Sequence, residues 1–118
     1  IISRATKKET REFYDYIVHE QGDWEAAEHI VSIRISGGGR SIPPEIVRKM
    51  TERHVSGIGT MPIVGDYDEV AALFKRMSDA GLDGMAVGLV NYVDEFPILR
   101  DEILPRMERL GLRNPHKN

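Results

Sequence analysis

The chain has 118 residues, is 41% hydrophobic and 30% charged, and carries a formal net charge of −3 with a sequence pI near 5.8. That length and composition suit one soluble globular domain, and the slight acidity excludes a general attraction to nucleic acid or to an anionic membrane. Cysteine is absent, which rules out a disulfide framework, a thiolate metal site and a cysteine nucleophile. With no signal-like segment and no apolar run of membrane-spanning length, the cytoplasm is the default expectation.

In chain order, Ile1, Ile2 and Ser3 read as the end of a strand. Thr6 and Glu9 form a capping-box pair, and Phe13, Tyr14, Ile17 and Val18 place a helical stripe through about residue 20. Gln21 and Gly22 break it. Asp23 caps a second helix whose apolar face is Trp24, Ala27, Ile30 and Val31. Ser36, Gly37, Gly38, Gly39 and Arg40 predict a flexible loop. Pro44 suits the first position of a third helix, with Ile46, Val47, Met50 and His54 on one face. Residues 56–60, SGIGT, end it in a second glycine-rich turn.

The organising stretch is Met61 to Tyr92, which reads as a β-α-β unit. A short strand over 61–64 leads to Asp66, an N-cap with Glu69 three residues on, and Val70, Leu73, Phe74 and Met77 share one helical face. Gly81 stands where a left-handed residue ends the helix, with Leu82 folding back onto its last turn. Residues 84–90, GMAVGLV, lack polar alternation, which predicts a strand buried on both faces in a parallel sheet. A last helix over about 94–110 follows, carried by Phe96, Leu99, Ile103, Met107 and Leu110. Pro97 is expected in its first turn and Pro105 as an interior kink, and Gly111 ends it before a frayed tail over 114–118. The strand at 84–90 has too few sheet neighbours in this sequence, so the reading is one end of a larger α/β protein, a barrel or a doubly wound sheet.

The segments RATKKETREFYDYIVHEQGDWEAAEHI, GIGTMPIVGDYDEVAALF, AGLDGMAVGLVNYVDEFP and LRDEILPRMERLGLR, in that order, resemble the C-terminal part of the bacterial-luciferase-like flavin-dependent monooxygenases. The group containing dimethyl sulfone and alkanesulfonate monooxygenases is the most similar. The resemblance covers nearly the whole chain and implies the C-terminal fragment of a (β/α)8 TIM barrel. In it Ile1 and Ile2 end strand seven, residues 1–60 form a helical insertion region, and 61–118 supply the last β-α-β-α segment, with helix seven at 66–80, strand eight at 84–90 and helix eight after it. The implied reaction uses reduced FMN, or a deazaflavin in related enzymes, delivered by a separate NAD(P)H-dependent flavin reductase. Dioxygen then oxygenates a small organic substrate such as an organosulfur compound. A homo-oligomer is also implied.

Flavin contacts in that family lie mostly on upstream strands, so no cofactor-binding residue is assigned here. Three residues are the catalytic candidates. Tyr92 follows strand eight, and its hydroxyl could donate into a pocket or pack under the last helix. Arg53 could hold an anionic substrate or satisfy helix-end carbonyls. His54 lies on the apolar stripe, as a packed core histidine or facing the flavin pocket. Arg40 in the GGGR stretch is the candidate for a lid. Asp66-Tyr67 replaces the Thr-Pro common after the Val-Gly of the family turn, and Met61 replaces an aromatic. His19-Glu20 lacks the second histidine of a zinc-protease motif, and neither glycine-rich turn matches a P-loop or dinucleotide fingerprint. The alternative function is a non-catalytic helical interaction module, or a degenerate barrel piece binding a protein partner.

Overall fold

A computed structural model of the chain describes residues 1–37 and 41–115. The fold is mostly helical with two short parallel strands, and it divides into two compact units, Ile1–Arg11 with Ile63–Asn118, and Glu12–Pro62.

The first unit is the α/β part. Strand β1 (Ile2–Arg4) pairs in parallel with β2 (Val64–Asp66), Ser3 opposite Gly65. The paired residues begin three positions later than the 61–64 strand predicted from sequence. Pro62 has no N–H to donate, and the first bond to β1 runs from the Ile2 N–H to the Ile63 carbonyl at 2.8 Å. Asp66 ends β2 and caps α4 (Tyr67–Asp79), and the reciprocal bonds with Glu69 are both present, as predicted. Val70, Ala71 and Phe74 face inward from α4 and join Ile63 and Ile103 in the buried core of this unit. Gly81, at φ +99°, ends α4. The Leu82 N–H reaches the Met77 carbonyl and the Gly81 N–H the Ser78 carbonyl, the paired bonds of a Schellman ending.

Residues 84–90 depart from their prediction as a buried parallel strand. They form no ladder, and among the described residues no backbone hydrogen bond joins them to β2. The Ile1 backbone nitrogen donates to the Gly88 carbonyl at 2.7 Å, and Glu95 meets Arg4, so residues 88–95 run alongside β1 in its direction. Val87 and Leu89 are half-buried, whereas Met85, Ala86 and Val90 are exposed. The physical reason is coverage: this chain supplies a layer for one side of the segment only, and an uncovered apolar side gains nothing from burial.

The last helical run starts at Tyr92 rather than near 94, because Asn91 caps it by accepting the Val93 N–H at 3.0 Å. Pro97 therefore falls in the second turn of α5 (Tyr92–Ile98) and not in the first. A π-helical turn over Leu99–Ile103 widens the backbone just ahead of Pro105, and α6 (Leu104–Arg109) continues from it. Such a turn absorbs the missing proline donor by re-spacing the bonds, as Leu104 N–H to Leu99 carbonyl illustrates. Gly111 repeats the Schellman ending, with Leu112 N–H on the Met107 carbonyl.

The second unit is helical. The chain enters it along α1 (Lys7–Asp15), whose Thr6–Glu9 capping box is formed, and a π-helical turn over Tyr16–Glu20 follows. Asp23 caps α2 (Trp24–Ser36) through the Ala26 N–H. Ala27 and Val31 are buried as predicted, but Ile30 is exposed at the edge of that stripe. Helix α3 (Pro44–Gly57) opens on Pro44 at its first position and packs against α2. Its ending has Ile58, not a glycine, in the left-handed position at φ +58°, with the Ile58 N–H on the His54 carbonyl and the Gly59 N–H on the Arg53 carbonyl. Arg40, the lid candidate, and residues 116–118 of the tail lie outside the described residues.

Candidate functional site

At the C-terminal end of β1, polar side chains converge on a carboxylate that sequence reasoning passed over. Glu95 is 4% exposed. Its Oε2 accepts the N–H groups of Val90 at 2.8 Å and Asn91 at 3.2 Å, and its Oε1 accepts the Arg4 guanidinium at 3.0 Å. Arg4 also donates to the Ser3 carbonyl. The carboxylate thus ties β1 to the end of the 84–90 segment and fixes where α5 begins. A sequence signal for it did exist. Glu95 follows the N-cap Asn91 within one helical turn and reaches back to the Asn91 N–H, the bond that the acidic partner makes in a capping box, and it faces inward while Phe96 faces out.

Tyr92 is the first residue of α5 and is 60% exposed. It sits next to the Glu95-bound N–H groups, but its hydroxyl makes no hydrogen bond among the described residues. Tyr67 flanks another charge cluster: Arg106 lies 5.3 Å from its ring centroid while bonding Asp68 and Glu102. Burial, foremost, and then the Glu102 charge push the Tyr67 phenol up from its ordinary value.

Arg53 and His54, the other two candidates, are in the helical unit and point apart. His54 is buried, and its Nδ1 lies 2.9 Å from the Met50 carbonyl, which can only accept, so Nδ1 carries the proton. Nε2 is buried with no hydrogen-bond partner among the described residues. The ring also lies against the Gly59 backbone, where a Cβ would meet Cε1 at 2.7 Å. His54 therefore occupies the packed-core position of its two readings.

Arg53 is exposed and lines a groove of about 460 Å³ together with Lys49, Glu52 and Ser56 of α3 and Tyr14 of α1. Ile46, Met50 and Pro62 complete it. The Tyr14 hydroxyl donates to Glu52 Oε1 at 2.8 Å, and burial, then that carboxylate, push the phenol up to about 12. Tyr14 thus stays protonated at neutral pH and acts as a wall with its hydroxyl committed to Glu52. Sequence reasoning placed Tyr14 on a core stripe; the groove depends on which α3 residues meet it, which is tertiary information.

Among the described residues no group of three or more acidic or histidine side chains gathers to hold a metal ion, and no helix is long and apolar enough to cross a membrane. No protein-family model, curated protein or solved structure matches this chain.

Proposed function

We propose that this chain is the closing part of a (β/α)8 barrel in a two-component, FMN-dependent monooxygenase acting on a small organic substrate. The observation that carries the reading is the α/β unit: parallel β1 and β2, the capped helix α4 leaving β2, and the 88–95 segment running with β1 toward a polar cluster at its C-terminal end. In barrels and open α/β sheets alike, that end of the strands holds the site. Tyr92, exposed beside the cluster, is the residue of this chain we assign to the substrate side of the mouth.

The flavin itself does not fit the described residues. Arg4 and Glu95 are engaged with each other and with backbone groups, so the cluster offers no set of donors for a flavin phosphate. In this proposal flavin contacts belong to other strands of the barrel, with reduced FMN coming from a separate NAD(P)H-dependent reductase. Barrel closure also requires residues 84–90 to pair along their length with neighbouring strands, a change from their arrangement in this chain. The exposed apolar residues Met85, Val90, Val93 and Phe96 favour a second reading, a non-catalytic module that binds a protein partner through this surface.

The test compares this 118-residue chain with a full-length parent carrying the upstream strands. Flavin-fluorescence titration should give tight FMN binding only in the parent, which should also consume NADH in a substrate-dependent way when a flavin reductase is present. Micromolar FMN binding by a monomeric form of this chain, or a parent lacking upstream flavin-binding strands, would overturn it.

A further inference from the structure

The groove on α3 has the composition of a ligand site independent of the flavin reading. Its volume of about 460 Å³ falls within the range of small-molecule pockets. Lys49 and Arg53 are four residues apart on one helical row, so their heads flank the same opening. Among the described residues neither makes an ion pair or a side-chain hydrogen bond. Surface cations on helices commonly find a carboxylate at this spacing, as Lys75 does with Asp79. Glu52, the acidic residue of the groove, is held by the Tyr14 hydroxyl at its side. The opening therefore keeps a net positive charge of about one, the sum of two cations and one carboxylate. The same groove is lined by Ile46, Met50, Pro62 and the Tyr14 ring, an apolar part with an adaptable thioether.

We propose that this groove binds a small amphiphilic organic anion, its singly charged head between Lys49 and Arg53 and its apolar body over Ile46 and Met50. The arginine supplies paired N–H donors for an oxyanion, the lysine a second point charge, and the apolar part removes the ligand's hydrocarbon from water. Neither an apolar patch alone nor a cation pair alone would demand both halves of that chemistry. The site lies wholly within the helical unit and rests on the groove, not on the monooxygenase reading.

The experiment uses the whole 118-residue chain and amide chemical-shift mapping with octanoate as the probe. Octanol tests the tail without charge, octylammonium reverses the charge, and inorganic phosphate tests an anion without a tail. The expected result is a saturable response of amides in α3 and around Tyr14 to octanoate, with each of the other three at least about tenfold weaker. The double variant Lys49→Gln, Arg53→Gln should weaken octanoate by about tenfold or more and bring it level with octanol. Both side chains are exposed, so the variant's fold can be verified from its unchanged amide spectrum elsewhere. Equal binding of octanol or octylammonium, an unchanged affinity in the double variant, or shifts confined to residues outside the groove would each overturn the proposal.

Discussion

Replacing Glu95 by alanine removes one acceptor from three donors at once, Val90 N–H, Asn91 N–H and the Arg4 guanidinium. Each hydrogen bond to an ionised group contributes about 1.5–3 kcal/mol, but the three share one carboxylate and do not add. Arg4 keeps about a quarter of its side-chain surface in water, so its share is screened toward the low end. The two backbone donors then dominate, and a net loss of about 3 kcal/mol follows, within the range for breaking a buried charged pair. Because the chain has two units, a single global unfolding transition is the wrong readout, and amide hydrogen exchange at Val90 and Asn91 is the direct one. At about 1.4 kcal/mol per tenfold, exchange there should quicken by about a hundredfold. Amides of α2 and α3 should be unaffected. Glu102→Ala, which removes an ion pair to Arg106 that is half open to solvent, should change exchange far less, in keeping with about 1 kcal/mol or below. Less than about a threefold effect at Val90 and Asn91 in the Glu95 variant would refute the view that this carboxylate anchors the segment.

Ile58→Gly should stabilise the helical unit: relieving a β-branched residue at φ +58° returns about 1–2 kcal/mol, glycine's chain entropy takes back about 0.5–1, and the side chain is 78% exposed. Amide hydrogen exchange across α3 should slow, and faster exchange there would show that the Ile58 side chain is held by something other than solvent. Gly81→Val should cost about 1 kcal/mol or more in the α/β unit, since its φ of +99° is closed to a β-branched residue, and unchanged amide hydrogen exchange across α4 would contradict that. For Tyr14 the folded phenol titrates near 12 against about 10 unfolded, so above about pH 10 the unfolded chain releases its proton first. Its contribution is complete below about pH 10 and lost as pH rises toward 12. Tyr14→Phe should flatten that alkaline loss and remove one late-titrating phenol from the ultraviolet tyrosinate curve.

Local signals in the sequence specified local structure well. The capping pairs Thr6–Glu9 and Asp66–Glu69, the Asp23 cap, Pro44 at a first helical position and the Gly81 ending all act within a few residues, so their partners are visible in one line of text. The apolar face of α4, and Ala27 and Val31 on α2, were legible as well, because helical period alone decides which residues share a side. Tertiary structure decided what depends on distant partners. Whether GMAVGLV forms a strand rests on neighbours to hydrogen-bond and layers to cover it, and among the described residues it meets the Ile1 nitrogen at Gly88, the Glu95 carboxylate at Val90 and cover on one side. Glu95 is buried because Arg4, 91 residues earlier, arrives beside it. The groove exists because Tyr14 meets Glu52 across 38 residues, and Arg53 and His54, adjacent in sequence, part to solvent and core because α3 turns about 100° between them. Hydrophobic pattern states that a face must be covered; only the folded chain states by what, since burial and pairing are properties of two surfaces and a sequence window contains one.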